Sequence, residues 1–117
     1  MTIQERFETM KNNGMEVQLP IELFGLLDEK STIAHLDAKA IAFAEGAISP
    51  KFKTLIALSA AVALDSPACI MNNVKAARKN GATNEEIMET IAVAKFSKSA
   101  TVISSSTQAL EWLVSQQ

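Results

Sequence analysis

The chain has 117 residues, 48% of them hydrophobic and 21% charged, with a formal net charge of −2 at pH 7. That balance is globular and excludes disorder, and the slightly acidic charge excludes a binder that works by neutralising nucleic-acid phosphates. A single Cys and a single His exclude an internal disulfide and a closed zinc site.

The length suits one domain spanning residues 1–117, since single domains commonly run to about 100–150 residues. Residues 1–8 mix polar and apolar side chains and carry no basic segment followed by an apolar run, so no targeting signal is expected. The longest apolar stretch, residues 55–64, is interrupted by Ser59 and closed by Asp65. A spanning helix needs about 20 apolar residues, so this stretch reads as a buried helix. The expectations are no membrane and no nucleic acid among the partners, and a cytoplasmic location.

Ile3, Phe7 and Met10 recur at helical spacing and predict an amphipathic helix ending before Gly14. The alternating residues 15–19 also fit a short extended segment. Pro20 opens a short helix through Leu27. Ser31 or Thr32 caps the next, with Ile33, Leu36, Ala40, Phe43 and Ala44 inward and Gly46 near its end. Ser49-Pro50 is an N-cap followed by proline at the first helical position. The helix that follows is apolar or small on nearly every side of its later half, which predicts a central helix or one buried between subunits. Ser66-Pro67 repeats the start signal, and its helix, carrying Cys69, Ile70, Val74 and Ala77, stops at Asn80-Gly81. Thr83-Asn84-Glu85-Glu86 is a capping box, followed by a stripe of Ile87, Met88, Ile91 and Ala94. A last helix takes in Val102, Ile103, Ala109, Leu110 and Leu113. With four glycines, three prolines and no strand pattern, the fold class is all-α.

Three segments in a gapless order are more specific than any alone. They are Ser49-Pro-Lys-Phe-Lys-Thr-Leu-Ile-Ala-Leu58, Ser66-Pro-Ala-Cys-Ile70 and Gly81-Ala-Thr-Asn-Glu-Glu-Ile87. Together with Phe43-Ala-Glu-Gly-Ala-Ile48 they resemble the carboxymuconolactone decarboxylase and alkylhydroperoxidase D superfamily, over about residues 40–113. The resemblance implies an all-α homo-oligomer, a trimer or hexamer. It also implies thiol-dependent peroxide chemistry in some members and lactone decarboxylation in others, so a peroxide or lactone-like small molecule is the expected ligand. No cofactor and no metal are implied.

Redox members of the superfamily carry a Glu, a Cys-x-x-Cys pair and a His one turn after the second Cys. By position the Glu falls on Thr54, the first Cys on Ser66 and the His on Asn73, leaving Cys69 as the second thiol. Thr54 cannot act as a carboxylate base, Ser66 cannot resolve a sulfenic acid, and Asn73 cannot shuttle a proton near neutral pH. The resemblance therefore implies a thiol-dependent peroxidase with an incomplete site, or alternatively a non-catalytic assembly or small-molecule-binding member. Lactone decarboxylation has little residue support, because His35 is the sole imidazole.

The plainer readings stand beside these. Cys69, third in its helix, is a candidate thiol whose anionic form the helix N-terminus favours and Asp65 opposes. A buried structural cysteine is the competing and favoured expectation. Ser66 reads first as an N-cap, Asn73 as a satisfied buried amide, and Thr54 as a hydroxyl bonded within its own helix. His35 reads as a surface or structural histidine. Lys51 and Lys53, with Lys75, Arg78 and Lys79, read as solvated faces rather than a phosphate site, and the methionines as adaptable packing. The serine-rich residues 97–106 read as close helix packing ahead of a polar pocket.

Overall fold

The computed structural model describes residues 1–117, which form seven α-helices and no strand. They group into two compact units, Met1–Ala44 and Glu45–Gln117. No helix is long and apolar enough to cross a membrane.

The first unit holds α1 (Ile3–Asn12), α2 (Leu19–Leu27) and α3 (Glu29–Phe43). A Thr2–Glu5 capping box starts α1. Ile3 and Phe7 of α1 close on Leu36 of α3, with Met10, Val17, Ile21 and Ile33 packed around them. Gly25 is the buried residue of α2; a Cβ there would stand 3.0 Å from the Phe7 ring and 3.1 Å from Ile3, so a bare backbone lets the helices approach. Ion pairs join Arg6 to Asp37 at 2.7 Å and Lys11 to Glu22 at 3.6 Å.

Two expectations change here. The cap of α3 is Asp28, not Ser31 or Thr32: its carboxylate accepts from the Ser31 N–H at 3.0 Å. That bond holds the Asp28 carboxyl below its usual range. The helix thus starts earlier, and Thr32 becomes a buried position whose hydroxyl donates to the Asp28 carbonyl at 2.7 Å. Ala40 and Ala44 are exposed rather than inward. Residues 15–18 take no regular structure, so the extended alternative does not form.

The second unit holds α4 (Pro50–Ala63), α5 (Pro67–Lys79), α6 (Asn84–Ser105) and α7 (Thr107–Ser115). Helix α4 is central, packing on both α5 and α6. Leu55, Leu58, Ala77, Ala82 and Ile87 form the core, flanked by Val62, Ile70, Val74 and Ile91. Leu58 is 0% exposed, and burying such a side chain contributes about 2–3 kcal/mol. The central position of α4 is as expected, although Ile56 and Leu64 remain exposed.

Helices α1, α4 and α5 end in the same double hydrogen bond, with a left-handed residue just past the C-cap. In α1 and α5 that residue is a glycine, Gly14 and Gly81, at φ 76° and 90°. In α4 it is Asp65, at φ 58°. The Asp65 N–H donates to the Val62 carbonyl and the Ser66 N–H to the Ala61 carbonyl, both at 3.1 Å, and the chain turns directly into α5.

Thr83 and Glu86 form the expected capping box at the start of α6. Glu86 also pairs with Lys51 of α4 at 2.8 Å. One correction concerns α6, which runs without a break to Ser105. Val102 and Ile103 therefore belong to it and not to the last helix. The hydroxyls of Thr101 and Ser104 bond within the helix, so the serine-rich stretch carries no competing turn.

Candidate functional site

The start of α5 gathers three of the four family positions. Ser66 is the N-cap with extended backbone, Pro67 is the first helical residue, and the Ile70 N–H closes the first turn onto the Ser66 carbonyl at 2.9 Å. Ser66, Cys69 and Asn73 follow at i, i+3 and i+7, which places them along one face of the helix. The Ser66 hydroxyl makes no capping bond, so only the backbone half of its expected role is realised.

Cys69 is a free, exposed thiol. The competing expectation of a buried structural cysteine is overturned, because the first turn of α5 lies outside the α4–α6 core that starts at Ile70. Asn73, one turn on, is half-buried. It is therefore not the buried amide expected there.

Thr54 sits on α4, the helix that packs most extensively on α5, and is 4% exposed. Its hydroxyl donates to the Lys51 carbonyl at 2.7 Å. The side chain is thus turned back onto its own helix, as the spacing suggested, and leaves no acid–base group at that position. Glu86 is committed elsewhere: its carboxylate accepts from the Lys51 ammonium and from the Thr83 N–H at 2.9 Å, and these bonds, Lys51 first, hold its carboxyl below the usual range.

His35 belongs to the first unit. It is exposed and lines an apolar groove of about 270 Å³ with Ile21, Phe24, Ser31 and Thr32. A second open groove, of about 410 Å³, lies between the end of α6 and α7, lined by Ile103, Ser104, Thr107, Leu110, Glu111 and Val114. Neither groove includes Cys69, Ser66, Asn73 or Thr54. The pairing of Lys51 with Glu86 and the groove at Ile103 were not anticipated; both join residues far apart in sequence or across a break that periodicity did not place.

The site therefore offers one accessible sulfur at a helix start, a half-buried amide one turn away, and no neighbouring proton relay among the family positions. The sequence model of the carboxymuconolactone decarboxylase family matches residues 30–112, from the second residue of α3 into α7. Over 61 residues the chain is 48% identical to "Uncharacterized protein 4 in cox locus" of Paracoccus denitrificans, a stretch covering 52% of this chain and 55% of that protein. The chain spans about half the length of that relative. With an all-helical fold and a family match across most of its length, the chain belongs to the carboxymuconolactone decarboxylase family.

Proposed function

We propose that this chain is a thiol-redox member of its family that works with one sulfur, Cys69, and without the family's proton relay. The observation that supports this reading is the exposure of Cys69 at the third position of α5. The thiolate attacks a peroxide oxygen: an S–O bond forms, the O–O bond breaks, the peroxide leaves as an alcohol or water, and sulfur becomes a sulfenic acid. Ser66 cannot close a disulfide onto that sulfur. A low-molecular-weight thiol then condenses with it, releasing water, and a second thiol displaces Cys69 as the mixed disulfide is reduced. Turnover is slow, since no carboxylate–imidazole pair manages protons.

The working form in this reading is a homo-oligomer, a trimer or hexamer, acting in the cytoplasm on a small peroxide. The test is to treat the folded protein with peroxide, trap sulfenic acid with a carbon nucleophile, and locate the adduct by mass spectrometry. An adduct at Cys69 that forms faster than in the unfolded chain is expected. Equal rates in the folded and unfolded protein would reject the reading.

One observation favours the second reading, a non-catalytic binding or assembly member. Thr54 occupies the position of the missing carboxylate with its hydroxyl spent on its own backbone. In that case ligand binding or assembly is unchanged by Cys69→Ser, and no sulfenic acid accumulates.

A further inference from the structure

Beyond Lys95 the chain builds no core. Residues 95–117 are exposed throughout except for the half-buried Ser106, and α7 has no buried residue at all. Yet α6 is one continuous helix of 22 residues: its first half is anchored through Ile87 and Ala94, and its second half continues outward to meet α7. A nine-residue helix burying nothing is not stable on propensity alone, because isolated helices shorter than about 12–15 residues are marginal in water.

The chemistry of this arm is that of an interior. On α7, Ala109, Leu110, Trp112, Leu113 and Val114 spread over more than half the helix circumference at 3.6 residues per turn. Leu110 and Val114 face the groove beside Ile103, while Trp112 points to the other edge of that arc and is 62% exposed. Phe96 and Ile103 on α6 are 72% and 69% exposed. Five of its hydroxyls are already satisfied: those of Thr101, Ser104, Ser106, Thr107 and Ser115 all donate to main-chain carbonyls three or four residues back. Those hydroxyls lose little on leaving water.

We propose that α7 and the second half of α6 form the surface on which a second copy of this chain is seated, each copy's α7 enclosed by the other's arm. Two observations select a copy of the chain as the occupant. Charges on the arm are sparse, Lys95, Lys98 and Glu111, so the surface does not repel itself and offers nothing to steer a charged partner. Its exposed apolar side chains amount to roughly 700 Å², close to the ~800 Å² per partner that a stable protein interface buries. The proposal deepens the homo-oligomer stated above by naming its surface, and it does not depend on the chemistry of Cys69.

Trp112 is the chain's single tryptophan and reports directly on this surface. On dilution its emission is expected to shift to the red over the same concentration range in which sedimentation velocity shows dissociation. Ile103→Asp and Leu113→Asp each remove an exposed side chain and no core contact. Both are expected to weaken association at least ~tenfold and, at concentrations where they still assemble, to keep the helical circular dichroism. A wild type that is monomeric at micromolar concentration would overturn the oligomer and this surface together. Variants that still assemble like wild type would overturn the surface alone. Blue emission independent of concentration would place the cover within the same chain, and red emission at every concentration would leave α7 uncovered; either result overturns the proposal.

Discussion

Removing the Thr83 hydroxyl tests how the second unit is held at its most connected point. Thr83 Oγ1 accepts from the Glu86 N–H at 3.0 Å, and Glu86 answers the Thr83 N–H at 2.9 Å. Thr83→Ala orphans one helix-terminal donor and loosens the Glu86 side chain. The cost is about 1 kcal/mol, the usual value for losing a capping hydroxyl. In a chain of this size that lowers the thermal midpoint by about 4 °C. Lys51 makes the cap more than local, since its ammonium fixes the same carboxylate from α4. Glu86→Gln keeps a neutral acceptor and loses the charge, so it costs less than Thr83→Ala. The pH dependence follows from the direction of the shift. The Glu86 carboxyl is lowered from its ordinary 4.5 in the folded chain, so its contribution is complete above that value and is lost as pH falls through the lowered one. Asp28 is lowered too and its contribution is likewise lost in acid, so Glu86→Gln removes only part of the acid sensitivity. Chemical denaturation of wild type, Thr83→Ala and Glu86→Gln at neutral and acid pH checks both points. An unchanged midpoint in Thr83→Ala at neutral pH, or undiminished acid sensitivity in Glu86→Gln, would refute the reasoning.

Three further outcomes are expected. Asp65→Gly exceeds Asp65→Ala in stability by about 1 kcal/mol, because both lack the carboxylate and only glycine takes φ 58° without strain; equal denaturation midpoints would contradict this. Leu58→Ala destabilises by about 3–4 kcal/mol, from a fully buried side chain packed on all sides, and a loss under ~1 kcal/mol in urea melts would mean the core collapses around the gap. Peroxide reduction with a dithiol is weak in the wild type. Combining Thr54→Glu, Ser66→Cys and Asn73→His raises it far more than Ser66→Cys alone, at a cost in stability because position 54 is buried; equal rates for the single and triple variants would sink the relay argument.

The helix starts were legible because they are local chemistry. Ser49-Pro50, Ser66-Pro67 and the Thr83–Glu86 box each act within one turn, and all three helices begin where those residues stand. Helix α3 was misplaced at its start for the same reason: Asp28, Ser31 and Thr32 are all good caps, and the choice among them depends on Thr32 being drawn into the first unit's interior. The end of α6 was missed because nothing in the serine-rich residues 97–106 marks a helix boundary: Thr101 and Ser104 bond backward along the helix. At the site, the backbone setting of Ser66, Cys69 and Asn73 followed from the Ser-Pro start. The exposure of Cys69 did not, since it depends on where α4 and α6 lie against α5, and a lone apolar-flanked cysteine carries no mark of that.

The hydroxyls along the end of α6 and on α7 also change how the composition should be weighed. Thr101, Ser104, Ser106, Thr107 and Ser115 count as polar in the chain's mean hydropathy of +0.12, yet their donors are spent on the main chain. Toward the outside each presents mainly carbon or a lone pair. In effect these positions behave as slightly enlarged alanines, and the C-terminal arm is oilier than its letters suggest. Ser→Ala exchange there should be nearly invisible to stability and assembly alike, while Ser→Asp, which brings a charge that no main-chain bond can satisfy, should disrupt both.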